Sequence, residues 1–167
     1  FNTVENMTGL GVTNVASTAT ATLPQSVNLD FQTGIAENTL MMASVRWAEW
    51  GAVDLIPTAL SADLIGLSDS YTYELGVARR FNDNLVGSVS VNYESSSGNL
   101  VSALGPTDGV TGLTIGGRYT NDNVNFTAGI NYSWLGDAGA KGGTGTQAAT
   151  FSNNSAVGIG FNVEISM

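Results

Sequence analysis

The 167 residues contain no cysteine and no histidine. Without thiols there is no disulfide framework, no thiolate metal site and no cysteine nucleophile; the absence is compatible with an exported protein. Without imidazole the commonest general base and the commonest transition-metal ligand are missing. Basic side chains are also scarce: five Lys and Arg stand against fourteen Asp and Glu, a net charge of −9, so nothing could neutralise a run of phosphates and nucleic acid is excluded as a partner. Only 11% of residues are charged, against about a quarter in ordinary soluble proteins, although apolar content is ordinary at 43%. No apolar run approaches the roughly 18–20 residues of a membrane-spanning helix, which leaves membrane strands open, because strands hide their apolar band in alternation.

What is present is period-two patterning. In the closing stretch VGIGFNVEISM, Val157, Ile159, Phe161, Val163, Ile165 and Met167 alternate with Gly158, Gly160, Asn162, Glu164 and Ser166. Six earlier segments behave in the same way: SVNLDFQTGIA, TLMMASVRWAEW, YTYELGVARRF, LVGSVSVNYE, VTGLTIGGRY and VNFTAGINYSW. Their apolar positions predict one hydrocarbon-facing side. The charged Asp30, Arg46, Glu74, Arg80, Glu94, Arg118 and Glu164 all fall in the other phase, where opposite signs can pair. Arg79 breaks the apolar phase of its segment, next to a short turn where it could snorkel to headgroups.

The connections alternate in length. Glu37–Asn38, Asn82–Asn84 and Thr120–Asn123 are short and rich in Asn and Asp, the chemistry of hairpin turns. The intervening connections are long. Trp47, Trp50, Tyr71, Tyr73, Tyr93, Tyr132 and Trp134 cluster beside the long connections, and Phe81, Tyr119 and Phe126 beside the short ones. Two aromatic belts, short turns on one side and long loops on the other describe a bacterial outer-membrane barrel, with the short turns in the periplasm. A soluble β-sandwich, the competing architecture, has no reason to sort aromatic rings to strand ends. The expected fold is therefore all-β: an antiparallel transmembrane β-barrel wall of about seven strands over residues 26–167, with residues 1–25 an outer loop or strand lead-in. The chain opens at Phe1 without an initiator Met or signal peptide, which reads as a mature product or a fragment.

The ordered stretches ATLPQSVNLDFQTGIAENTLMMASVRWAEW, YELGVARRFNDNLVGSVSVNYE, GPTDGVTGLTIGGRYTNDNVNFTAGINYSW and NSAVGIGFNV resemble the FadL/TodX family of outer-membrane transporters of long-chain fatty acids and other hydrophobic molecules. Leu23 and Pro24 stand at the family's strand entry, and Trp50 and Asp54 at its strand exit into an Asp-containing loop. The sequence departs from the family at Arg79, where an aromatic is usual, at Ser88, where an Arg is usual, and at Met167, where Phe is usual. The resemblance implies the C-terminal half of a fourteen-stranded barrel. The remaining strands would come from a parent chain or another copy, and the hatch and lateral opening would lie outside this sequence. It also implies passive uptake: capture at outer loops, passage through the barrel and sideways exit through the wall, with membrane lipid, lipopolysaccharide and hydrophobic small molecules as partners.

The smaller motifs add little chemistry. GPTDG reads as a loop turn before a calcium turn, and the NFT, NYS and NNS sequons as chance. GAKGGTGTQ lacks phosphate-loop spacing and reads as a flexible outer loop. Glu74, Glu94 and Glu164 lie on different strands without a nucleophile–base set, so no enzyme activity, metal or cofactor is expected. The apolar loop residues Leu55, Ile56, Leu60, Leu64, Ile65, Leu67, Leu100, Val101 and Leu104 are the expected substrate-capture surface, against the plainer expectation that they pack as a lid. A structural or polar-solute barrel without hydrophobic substrate is the alternative function.

Overall fold

The structure, a computed structural model, describes residues 2–7, 12–18, 22–54, 56, 67–102, 105, 107–142 and 145–166. Eleven strands are described: β1 (Asn2–Met7), β2 (Val12–Thr18), β3 (Ser26–Ala36), β4 (Thr39–Ala48), β5 (Ser70–Arg80), β6 (Leu85–Glu94), β7 (Val110–Asn121), β8 (Val124–Leu135), β9 (Ala138–Lys141), β10 (Gln147–Phe151) and β11 (Asn154–Ile165). Seven of them form one antiparallel sheet in the order β11-β8-β7-β6-β5-β4-β3. These are the seven segments expected from alternation. The sheet is open, with β3 and β11 at its edges. Because seven is odd, both edge strands run the same way, from the long connections toward the short turns.

The register turns seven separate alternations into one two-sided wall. Ile159 faces Ile130, which faces Ile115, then Val89, Val77, Met41 and Thr33. Directly opposed residues of antiparallel strands share a face, so these side chains form one continuous row. Val89, Ile115, Ile130 and Ile159 are 45–79% exposed, since nothing covers that face. The only fully buried apolar residues described are Ala48, Ala138 and Ala140, all at the long-connection end. A soluble sandwich needs a second layer over its apolar face. Here the apolar face meets no protein among the described residues.

The tight turns rest on residues that tolerate left-handed backbone. Asn38 has φ +56 and Asp122 φ +45. In the four-residue connection before β6, the Asn82 side-chain oxygen accepts the backbone N–H groups of Asn84 and Leu85, both at 2.9 Å. The last of these turns is shorter than TNDN suggests: Thr120 and Asn121 stay in β7. Asn84 Nδ2 donates to the Thr120 carbonyl at 2.6 Å, and the Thr120 hydroxyl donates to Asn125 at 2.8 Å, so cross-strand partners hold both strands together down to the turn. The second segment is shorter too, ending at Ala48 before a single 3-10 turn at Trp50–Ala52. Replacing Asn38 by Ala is expected to destabilise the folded sheet by about 1 kcal/mol, and by Gly to leave it unchanged, as read by urea unfolding.

Two further hairpins lie where loops were expected. Within the expected lead-in, Asn2–Met7 and Val12–Thr18 form the antiparallel pair β1–β2. GAKGGTGTQ is not a free loop: its ends belong to the hairpin β9–β10. Alternation could not announce β9 and β10, because their residues are mostly Ala, Gly and Thr, which carry no apolar phase.

Candidate functional site

The face opposite the isoleucine row carries every charged residue that the sequence placed there. Asp30 and Glu74 lie in one cross-strand row with Ser44 and Asn92. Arg46, Thr72 and Glu94 occupy the next row toward the long connections. Arg80, Val86 and Arg118 share a row near the short turns, with Glu164 beyond it. The expected pairing of opposite charges does not occur: among the described residues no ion pair ties these groups together. Neutral neighbours serve them instead, Thr72 donating to Glu94 at 3.2 Å and Asn162 to Glu164 at 3.1 Å. In the register Arg46 and Glu94 share a row but stand two strands apart with Thr72 between them, while Asp30 and Glu74 lie on the diagonals of Arg46.

Between Arg118 and Met42 this polar face carries a shallow trough of about 550 Å3, floored by Gly116, Gly129 and Gly160. These three glycines stand side by side in register, and their missing side chains make the depression.

At the long-connection end, a cleft of about 470 Å3 is lined by Trp50, Leu67, Leu100 and Val101, with the carboxylates of Asp69, Glu94 and Asp108. Three of its apolar residues are among the expected capture residues. Leu67 is 38% exposed and presents its side chain; Leu100 and Val101 are half-buried. Leu100 rests against Gly139, where a β-carbon would come within 2.9 Å of its methyl. Val101 bridges to Ala140, its N–H donating to Gly139 and its carbonyl accepting from Lys141, each at 2.9 Å. These two residues thus pack against β9, and they wall the cleft in doing so. Ile56 is exposed away from the cleft lining. Leu55, Leu60, Leu64, Ile65 and Leu104 lie outside the described residues.

The cleft's shape depends on residues that the sequence reading passed over. Asp69 accepts the Gly51 N–H at 2.9 Å and so holds the 3-10 turn carrying Trp50. Asp108, in GPTDG, accepts the Ser96 hydroxyl at 2.6 Å and the N–H groups of Ser97 and Gly98 at 2.7 and 2.8 Å. That set ties the β6–β7 connection to itself. The adjacent Gly109 has φ +84, and a β-carbon there would sit 2.9 Å from the Ser96 nitrogen, so only glycine fits. The sequence signal, in hindsight, was SSSG paired with TDG: N–H and hydroxyl donors within one loop of a carboxylate.

Burial pushes the Asp108 carboxyl up, but hydrogen bonds from Ser96, Ser97 and Gly98 outweigh it, so its pKa lies below the usual 3.8. A depressed carboxyl pKa stabilises the fold above the unfolded value and loses that contribution as pH falls through the folded value. Asp108→Asn is accordingly expected to loosen residues 95–98 at neutral pH, by about 1 kcal/mol given the exposure of the site, and to differ from the parent much less once the pH is below the folded carboxyl's own pKa, which lies under 3.8. Hydrogen exchange of the Ser97 and Gly98 amides checks this.

No protein-family model matches the chain, and no curated protein matches it. Among solved structures it is similar to the crystal structure of a Pseudomonas aeruginosa FadL homologue, with a TM-score of 0.63 and 14% sequence identity. The match covers 89% of this chain and 35% of that one, so the chain spans about a third of the length of the barrel it matches. The wall of antiparallel strands described here is thus FadL-like in fold.

Proposed function

We propose that the chain forms part of the wall and outer loops of an outer-membrane barrel that passes hydrophobic molecules, fatty acids among them, into the cell. One observation carries the reading: a single apolar face runs in register across all seven strands, uncovered, while the opposite face is polar. On β8, Phe126 and Trp134 lie eight residues apart on the apolar face, roughly 27 Å along the strand. At a tilt of about 40° that is roughly 20 Å along the membrane normal, close to the apolar band of about 25 Å once the rings' own reach is added. The cleft at the long-loop end and the glycine-floored trough lie on the polar face and suit capture followed by passage. The FadL-like fold supports the same reading.

Two experiments test it. With the long loops outside, cysteine labelling of intact cells should modify a cysteine at Lys141 and not one at Asp83; the reverse pattern inverts the orientation. Ser substitutions at Leu67 and Leu100 remove apolar surface worth about 25 cal/mol per Å2 to a bound tail. Uptake of a labelled long-chain fatty acid should fall several-fold while the barrel stays folded. Unchanged uptake by a folded variant would favour a barrel without hydrophobic substrate.

A further inference from the structure

Among the described residues, Arg79 is the one charged residue on the apolar face of the seven-stranded sheet. From Val27 on β3 to Ile165 on β11, every other position in that phase is apolar, aromatic, small or a neutral polar residue. Its guanidinium is exposed and meets no hydrogen-bonding or ionic partner among the described residues. Two strands away in the same row the surface is low. Arg79 faces Gly87, and Gly87 faces Gly117. The ring of Phe81 lies on Gly87, where a β-carbon would come within 2.8 Å of it. Above Gly117 the space is open, the nearest atom to a β-carbon there being the Val86 carbonyl oxygen at 3.3 Å. On the turn side of this depression stands Tyr119; on its other side begins the isoleucine and valine row.

We infer that Arg79 and the depression over Gly117 form a binding site for an anionic phospholipid of the leaflet bordering the short turns. The proposal rests on the reading of this sheet as a membrane barrel wall. A lone cation on an otherwise uncharged face attracts an anion, and at the level of an aromatic belt the available anion is a lipid phosphate. The guanidinium offers five donors and no competing acceptor, a match for phosphate oxygens. The Tyr119 hydroxyl sits at headgroup height, as belt tyrosines do. An acyl chain descending from that headgroup lies over Gly117, where no side chain obstructs it, and then along Ile115 and Val89. Snorkelling to water, the competing account, explains the tolerance of an arginine here but assigns no role to the open surface over Gly117.

The test uses the complete barrel in bilayers of mixed phosphatidylglycerol and phosphatidylcholine, followed by native mass spectrometry of retained lipid. Phosphatidylglycerol should be retained in preference to phosphatidylcholine by about fivefold, equivalent to the about 1 kcal/mol that a basic residue gains near an anionic leaflet. Arg79→Gln should abolish the preference, and Gly117→Leu, which fills the depression, should weaken it. Arg80→Gln removes the same charge from the polar face one residue away and should leave the preference intact. A preference that survives Arg79→Gln overturns the site and leaves a snorkelling arginine; equal loss in the Arg79 and Arg80 variants overturns it in favour of net charge. Failure of the parent barrel to enter bilayers as a heat-modifiable species would instead defeat the membrane reading beneath it.

Discussion

Offered a bilayer without complementary strands, this seven-stranded sheet is expected to remain protease-sensitive and to show no heat-dependent shift in electrophoretic mobility. The reason is its edges. β3 and β11, eleven and twelve residues long, each leave an outer row of N–H and C=O groups without a strand partner in the sheet. In hydrocarbon each unsatisfied group costs several kcal/mol, so the open sheet faces a penalty of tens of kcal/mol, beyond the about 5–15 kcal/mol by which folded domains are stable. The polarity of the edges also restricts what can close it. Because both run from the long connections to the short turns, a second copy in the same membrane orientation would bring parallel edges together. An all-antiparallel barrel needs a complement whose two edge strands run the opposite way. Co-expression with such a sheet should yield a protease-resistant, heat-modifiable species, and co-expression of two tagged copies should not. A heat-modifiable barrel formed by this chain alone would sink the expectation; one built from inverted copies would be recognised by labelling of Lys141 from both sides of the membrane.

The second large effect is expected at Ile130. It is 47% exposed, flanked by Ile115 and Ile159 in the same row, and among the described residues the only charge on its face is Arg79, three strands away on β5. An arginine at Ile130 would have no partner and no short route to water. In a bilayer it should cost about 2–4 kcal/mol, the depth-dependent price near a barrel's midplane. In detergent, where water reaches the guanidinium more readily, the loss should shrink. Gly158→Arg is the matching control. Gly158 lies one strand away on the polar face, and the nearest atom to a β-carbon there is the Asn131 β-carbon at 3.9 Å. That substitution should change stability by less than about 1 kcal/mol. Unfolding titrations in lipid vesicles measure both. Equal penalties for the two variants would mean that the faces do not differ in their surroundings, and the lipid-facing assignment would fail.

Strand formation and face assignment were legible because both are local. Period two survives any arrangement of the strands, and a slip of one residue in a segment such as LVGSVSVNYE would carry its whole apolar set to the other face. The short turns were legible for the same reason, Asn38 and Asp122 carrying the backbone angles expected of their type. Once the strands are antiparallel neighbours, the turns set the register, and the seven apolar phases fall on one side together.

The loops were less legible because their order depends on partners far along the chain. Asp108 holds Ser96, Ser97 and Gly98 from ten to twelve residues away, Asp69 reaches back eighteen residues to Gly51, and Val101 meets Ala140 across nearly forty positions. No periodicity encodes such contacts, and short polar side chains look alike whether they anchor a loop or face water. The charged residues divided in the same way. Alternation alone placed Asp30, Arg46, Glu74, Arg80, Glu94, Arg118 and Glu164 on the polar face, but which of them could touch was a matter of register. There the tertiary structure decided for Thr72, directly opposite Glu94 across the β5–β6 pair, and for Asn162, two residues before Glu164 on the same face of β11, because the register leaves Arg46 two strands from Glu94 and Arg118 two strands from Glu164.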